Sequence, residues 1–206
     1  HLASAISGIP KTIKEKGHLV IRGEAVISYA DFEQFIIESE GDYANPRNLA
    51  SGSLSLKDAE EVKLRHIQWI PFTLVYTEQE INSWGERMQM LQDLGFKPVE
   101  RTRIEHPDEE SIQAEINRFT QKVTDKTNPY PVDGLVICYD DTAYAATGSV
   151  TGHHATRAGY AFKWQDEHAD TELDHIEWSC AANTITPVAV FKPVELEGTT
   201  VQRASL

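Results

Sequence analysis

Three charged residues interrupt stretches that otherwise read as strands: Glu24 in "VIRGEAVI", Asp133 in "VDGLVI" and Lys163 in "YAFKW". A buried charge is costly unless it is paired, so strands that carry them are expected to line a cleft where a ligand or partner satisfies them. Taken singly, each residue also suits an outward position on a one-sided sheet. Taken together, and joined by Arg47 in the Gly/Asn/Ser/Pro-rich stretch "EGDYANPRNLASGSLSL", they point to a nucleotide site. His153 and His154 in "TGHHATRAG" raise the thought of a metal or a general base. Adjacent residues on a strand face opposite ways, however, so a polar loop is the expectation there, with Arg157 a candidate phosphate contact.

The elements that must position these residues follow from pattern. "LVIRGEAVI" (Leu19 to Ile27) has β-branched residues on both sides of Arg22-Gly23-Glu24 and predicts a strand, followed by a short helix in "SYADFEQFIIES" capped by Ser28 or Asp31. Asn45-Pro46 disfavours helix at the asparagine, which places Arg47 on or beside a loop. Ile67 to Thr77 predicts a strand with an edge or a bulge at Pro71. Ile81, Trp84, Met88, Leu91 and Leu94 form a helical stripe that stops at Gly95, and a second stripe, Ile112, Ile116, Phe119 and Val123, starts from Pro107 and Asp108 and faces inward. From Pro131 onward the pattern returns to strands. Strands around a helical pair predict an α+β fold with largely antiparallel sheets.

Composition excludes several classes. At 206 residues with 40% hydrophobic and 25% charged residues, the chain has the make-up of a folded globular protein. No apolar run approaches the length that crosses a bilayer, and the start lacks the order of a signal peptide, so a cytoplasmic protein with no membrane contact is expected. Two cysteines, Cys138 and Cys180, cannot build a disulfide framework and read as reduced, buried thiols. The net charge of -13, from 19 basic and 32 acidic residues, opposes a broad electrostatic grip on nucleic acid; any DNA contact would be local or supplied elsewhere.

Five segments, "IPKTIKEKGHLVIRGEAVI", "YANPRNLASGSL", "YPVDGLVICYDD", "YAFKW" and "ITPVAVFKPVELEGTTVQRASL", resemble, in this order, the NAD-dependent bacterial DNA ligases. The resemblance spans almost the whole chain. It implies that residues 1–170 are the later part of an adenylation domain of nucleotidyltransferase fold, antiparallel sheets with helices, and that residues 171–206 begin an OB-fold barrel. A barrel needs five strands and about two fit before Leu206, so the stretch reads as an excised portion of a longer ligase. The family uses NAD and Mg2+ and seals nicked double-stranded DNA: a lysine takes AMP from NAD, the AMP passes to a 5'-phosphate, and a 3'-hydroxyl displaces it. That lysine lies in a Lys-x-Asp-Gly motif, which Lys11, Lys14 and Lys16 do not form. The segment alone is therefore expected to be inactive.

The resemblance also implies roles for the surviving residues. Glu24 would accept a hydrogen bond from the ribose, Phe72 would stack on adenine unless it is simply a core aromatic, and Arg47 would contact phosphate. Lys163 would neutralise charge on the transferred phosphoryl group, and Asp133 would orient a lysine or a hydrated Mg2+. Lys163 and Asp133 are thus the candidate catalytic pair, with Glu24, Arg47, Phe72, Lys163 and the Cys138 position as nucleotide contacts. Three positions depart from the family pattern. Cys138 stands in place of the lysine that ends "DGVVIK", Ser55 in place of an arginine after "GSL", and "SCAANT" in place of a Gly-Arg-Thr-Gly turn. An alternative reading is therefore a degenerate ligase-like module that binds nucleotide or DNA without sealing nicks.

Overall fold

A bulged pair of antiparallel strands organises the first part of the chain. β1 (Leu19–Val26) runs against β2 (Gln68–Thr77), with Leu19 opposite Thr77 and Val26 opposite Gln68. The register slips between Val20 and Ile21 and again between Arg22 and Gly23. The second slip falls at Pro71, which has no N–H to give to a ladder, and it leaves Phe72 as the extra residue between Pro71 opposite Gly23 and Thr73 opposite Arg22. The computed structural model describes residues 2–39, 43–148, 159–164, 168–181, 184–196 and 199–206, and it divides into two units, residues 1–164 and 165–206.

Two cores hold the first unit. Leu74, Met88, Leu91 and Phe96 form one, joined by Leu19, Ile21 and Trp69 from the inward face of the strand pair. Met88 and Leu91 come from α4 (Trp84–Asp93), which Ser83 caps and which ends before Gly95 at a φ of 93° that favours glycine. Ala5, Ile27, Leu49, Ala50, Val62 and Ile67 form the other, with Phe32 and Phe35 of α1 (Tyr29–Ser39) packed against it. Ser28 rather than Asp31 caps α1, its hydroxyl oxygen accepting the Asp31 N–H at 3.0 Å.

The predicted loop around Arg47 is a helix, α2 (Pro46–Leu54). The residues that argued against helix are the ones that start it. Asn45, extended as a residue before proline must be, caps the Asn48 N–H, and Pro46 takes the first position, where a missing N–H costs nothing. A short α3 (Ala59–Lys63) follows and carries the buried Val62. The second predicted helix is α5 (Glu109–Thr124), started by a capping box between Asp108 and Ser111. Its inward stripe is only half buried, and none of its residues reaches full burial.

β3 (Gly134–Cys138) pairs antiparallel with β4 (Gly159–Lys163), and a single turn, α6 (Thr142–Ala145), leaves the end of β3. Asp140, just past β3, accepts hydrogen bonds from the Ser83 hydroxyl and, at 2.8 Å, from the Gly85 N–H, which ties this strand pair to the start of α4. The second unit is an antiparallel sheet in the order β5 (Leu173–Ala181), β6 (Thr184–Leu196), β7 (Thr199–Ser205). Among the described residues it therefore holds three strands where about two were expected. β6 is long enough, at 13 residues, to pair with β5 through its first part and with β7 on both sides of a register shift between Val190 and Val194.

Candidate functional site

Alternation along β1 decides which residues face out. Leu19, Ile21 and Ala25 turn inward, while Val20, Arg22 and Glu24 are exposed. Gly23 sits between the last two because a Cβ there would lie 2.6 Å from the Ile70 carbonyl oxygen and 2.6 Å from the Trp69 indole. Glu24 stands opposite Ile70, and Phe72, thrown out by the bulge, is 39% exposed instead of buried in a core. Arg47, in the first turn of α2, is exposed on a helix that packs against β1. Among the described residues neither the Glu24 carboxylate nor the Arg47 guanidinium has a hydrogen-bond or ion-pair partner. The first unit thus presents a carboxylate, an aromatic ring and a guanidinium, all available to a ligand. Arg22 shares the outward face of Glu24 two residues away and went unassigned in the sequence, although the same period-two alternation would have found it.

The other strand pair carries the second group. Lys163 lies opposite Gly134, and its ammonium is 3.4 Å from the Asp133 carboxylate, with the two side chains 63% and 57% exposed. Gly134 makes this possible: a Cβ there would lie 2.3 Å from the Phe162 carbonyl oxygen, so only glycine lets β4 come this close. Cys138 is on the same face as Gly134 but four residues farther along β3, about 13 Å away at strand spacing. Lys163 and Asp133 therefore meet directly, while Cys138 sits at the opposite end of the strand. Ser55 is the C-cap of α2, and His153, His154 and Arg157 lie outside the described residues.

Cys138 is half buried, and burial, reinforced by the Asp140 carboxylate, pushes its thiol above the usual cysteine range. Cys180 is exposed on β5, which corrects the expectation that both thiols are buried; β5 is exposed along almost its whole length, with only Glu177 partly covered, so neither of its faces hides the thiol. Because the thiolate is the reacting form, iodoacetamide at neutral pH is expected to label Cys180 well before Cys138, with labelling of Cys138 catching up only as pH rises into the alkaline range. Peptide mass mapping over time checks the order; simultaneous labelling would contradict it.

Among the described residues no three or more His, Cys, Asp or Glu side chains gather in a way that could hold a metal, and no helix is long and apolar enough to cross a membrane. The family model for the NAD-dependent DNA ligase adenylation domain matches residues 2–167. The chain is also similar to proteins named DNA ligase. It is 39% identical over 210 residues to that of Lachnoclostridium phytofermentans, covering 99% of this chain and 31% of the relative. It is 38% identical to that of Ruminiclostridium cellulolyticum, with the same coverage, and 34% identical to that of Leptospira biflexa, covering 98% of this chain and 30% of the relative. The chain thus spans about a third of the length of these relatives.

Proposed function

The chain belongs to the NAD-dependent DNA ligase adenylation-domain family, and from that premise we propose that it serves a ligase that seals nicks in double-stranded DNA through enzyme-AMP and DNA-adenylate intermediates. Residues 1–170 are the later part of the nucleotidyltransferase domain in this reading, and residues 171–206 begin an OB-fold barrel. The observation that carries it is the exposed Lys163–Asp133 pair, held at the end of a strand pair inside the family match.

Each residue then has a task that its surroundings permit. Glu24, exposed and unpartnered among the described residues, accepts a ribose hydroxyl. Phe72 offers its ring to adenine, and Arg47 offers a planar fork of donors to phosphate oxygens. Lys163 holds positive charge where the phosphoryl group gains negative charge, which is the chief protein contribution to such transfers. Asp133 keeps the ammonium in place. A single exposed carboxylate beside a phosphate site also fits Mg2+, which keeps most of its waters and takes one or two carboxylates; the ion supplies charge neutralisation at the phosphates. Reaction with NAD takes place in the cytoplasm, where both NAD and DNA are at hand.

The protein encoded by the full coding frame, incubated with NAD and Mg2+, should gain the mass of one AMP and seal a nicked duplex. The 206-residue chain, which contains no Lys-x-Asp-Gly sequence, should gain none. An adduct on that chain would overturn the assignment of the nucleophile.

The degenerate reading is favoured by one observation: Cys138 is half buried and uncharged where the family carries a cation. In the full-length protein, Cys138→Lys is expected to raise the adenylylation rate about tenfold, an amount that one added charge-assisted contact supplies. A lysine head group there is also favoured by the nearby Asp140 carboxylate. Measured AMP-adduct formation that is nil in both proteins would favour the module that binds without sealing.

A further inference from the structure

The segment that leads into Asp133 is bound to the β1–β2 pair by side chains that no step above uses. Tyr130 donates its hydroxyl hydrogen to the Gln68 side-chain oxygen at 2.7 Å, across 62 positions of sequence. Gln68 is the first residue of β2, opposite Val26. Its amide nitrogen reaches an Asp31 carboxylate oxygen at 3.4 Å, and Asp31 also accepts the Ser28 hydroxyl at 2.5 Å and meets His66 Nδ1 at 3.0 Å. The backbone adds to the tie, with the Tyr29 N–H donating to the Pro129 carbonyl at 2.9 Å. Burial, and then the Asp31 charge, raise the Tyr130 phenol above its usual range, so it stays protonated and able to donate.

The link from Tyr130 to Asp133 is short. Only Pro131 and Val132 intervene, and Pro131 fixes one backbone torsion, so a displacement at Tyr130 is passed to Asp133 instead of being absorbed. The two halves of the candidate site, the Glu24 and Phe72 face on one side and the Asp133–Lys163 pair on the other, therefore share a side-chain tether in the Tyr130–Gln68 hydrogen bond.

We propose that Tyr130 is a positioning residue: its hydrogen bond to Gln68 sets the Asp133–Lys163 pair against the Glu24 and Phe72 face, and thereby aligns phosphoryl group with nucleoside. This rests on the adenylyl-transfer reading above. Loss of the bond loosens alignment more than it weakens binding, since the groups that touch the nucleotide all remain.

Tyr130→Phe in the full-length protein removes one hydroxyl and keeps the ring. The single-turnover adenylylation rate should fall about five- to tenfold, with KM for NAD within about twofold of the parent. Gln68→Leu should lose at least as much, since it also removes the Gln68 contact to Asp31, and adding Tyr130→Phe on that background should cost nothing further, because the shared bond is already gone. Backbone amide exchange at Gly134 and Leu135 should quicken in Tyr130→Phe. If the parent takes up AMP but Tyr130→Phe matches its rate, changes only KM, or multiplies with Gln68→Leu, the positioning role is overturned. If the parent takes up no AMP, the adenylyl-transfer reading falls instead, and the exchange data decide the tether: faster exchange supports it and unchanged exchange overturns it.

Discussion

Replacing Lys163 with alanine in the full-length protein is expected to slow adenylyl transfer by about 10²–10³-fold, the loss typical of deleting one preorganised donor from a transition-state site. The fold should hardly notice. The side chain is mostly exposed and its partner is a single carboxylate at 3.4 Å, an arrangement that contributes little to stability in water. Function and stability are therefore separable here: single-turnover formation of the AMP adduct should collapse while the thermal unfolding midpoint stays put. Lys163→Arg keeps the charge but spreads it over a planar fork, so intermediate activity is expected. A Lys163→Ala rate within about threefold of the parent would remove Lys163 from the chemistry, since one order of magnitude corresponds to only about 1.4 kcal/mol.

The second large effect comes from the neighbour of Asp133. A methyl group at Gly134 would sit 2.3 Å from the Phe162 carbonyl oxygen and 3.1 Å from the Lys163 Cα, both backbone atoms that cannot rotate away. Gly134→Ala must therefore part β3 from β4, at a cost of about 1–3 kcal/mol for overpacking, and it moves Lys163 as it does so. Both the unfolding midpoint and the adenylylation rate should drop. Gly52→Ala is the matched control. In the interior of α2 a Cβ meets only a Tyr43 ring carbon at 3.7 Å, an ordinary contact, and alanine is the better helix former by about 0.5–1 kcal/mol. Gly52→Ala should be neutral or stabilising. If Gly134→Ala behaves like Gly52→Ala in an unfolding experiment, the strands have more room than their closeness suggests.

What could be read from the sequence was whatever depends on local period. The stripes of α4 and α5 and the alternation in β1 are legible because each reflects one face of one element. Pro71 announced its bulge because the missing donor is a property of the residue itself. The α2 helix was hidden because Asn, Pro, Gly and Ser are shared by loops and helix starts, and only the capping geometry of Asn45 tells them apart. The strand "TTVQRAS" escaped notice because Val201 is its one large apolar residue and its place in the sheet depends on the length of β6. In the site, Glu24, Asp133 and Lys163 stood out as charges inside apolar runs. A lysine for Asp133 came only from the family resemblance; that Lys163 is the one it meets, and that Tyr130 bonds Gln68, depends on chain-distant packing that no single stretch encodes.

The bulge in β2 also says something about how long the strand needs to be. With Phe72 deleted, Pro71, Thr73 and Leu74 would follow one another inward, outward and inward, and Leu74 would still reach Met88 and Leu91. The core could thus be built from a strand one residue shorter, with its hydrophobic phase intact. Packing alone gives no reason for the chain to carry Phe72 at all; the residue belongs to the surface of the strand and not to its interior.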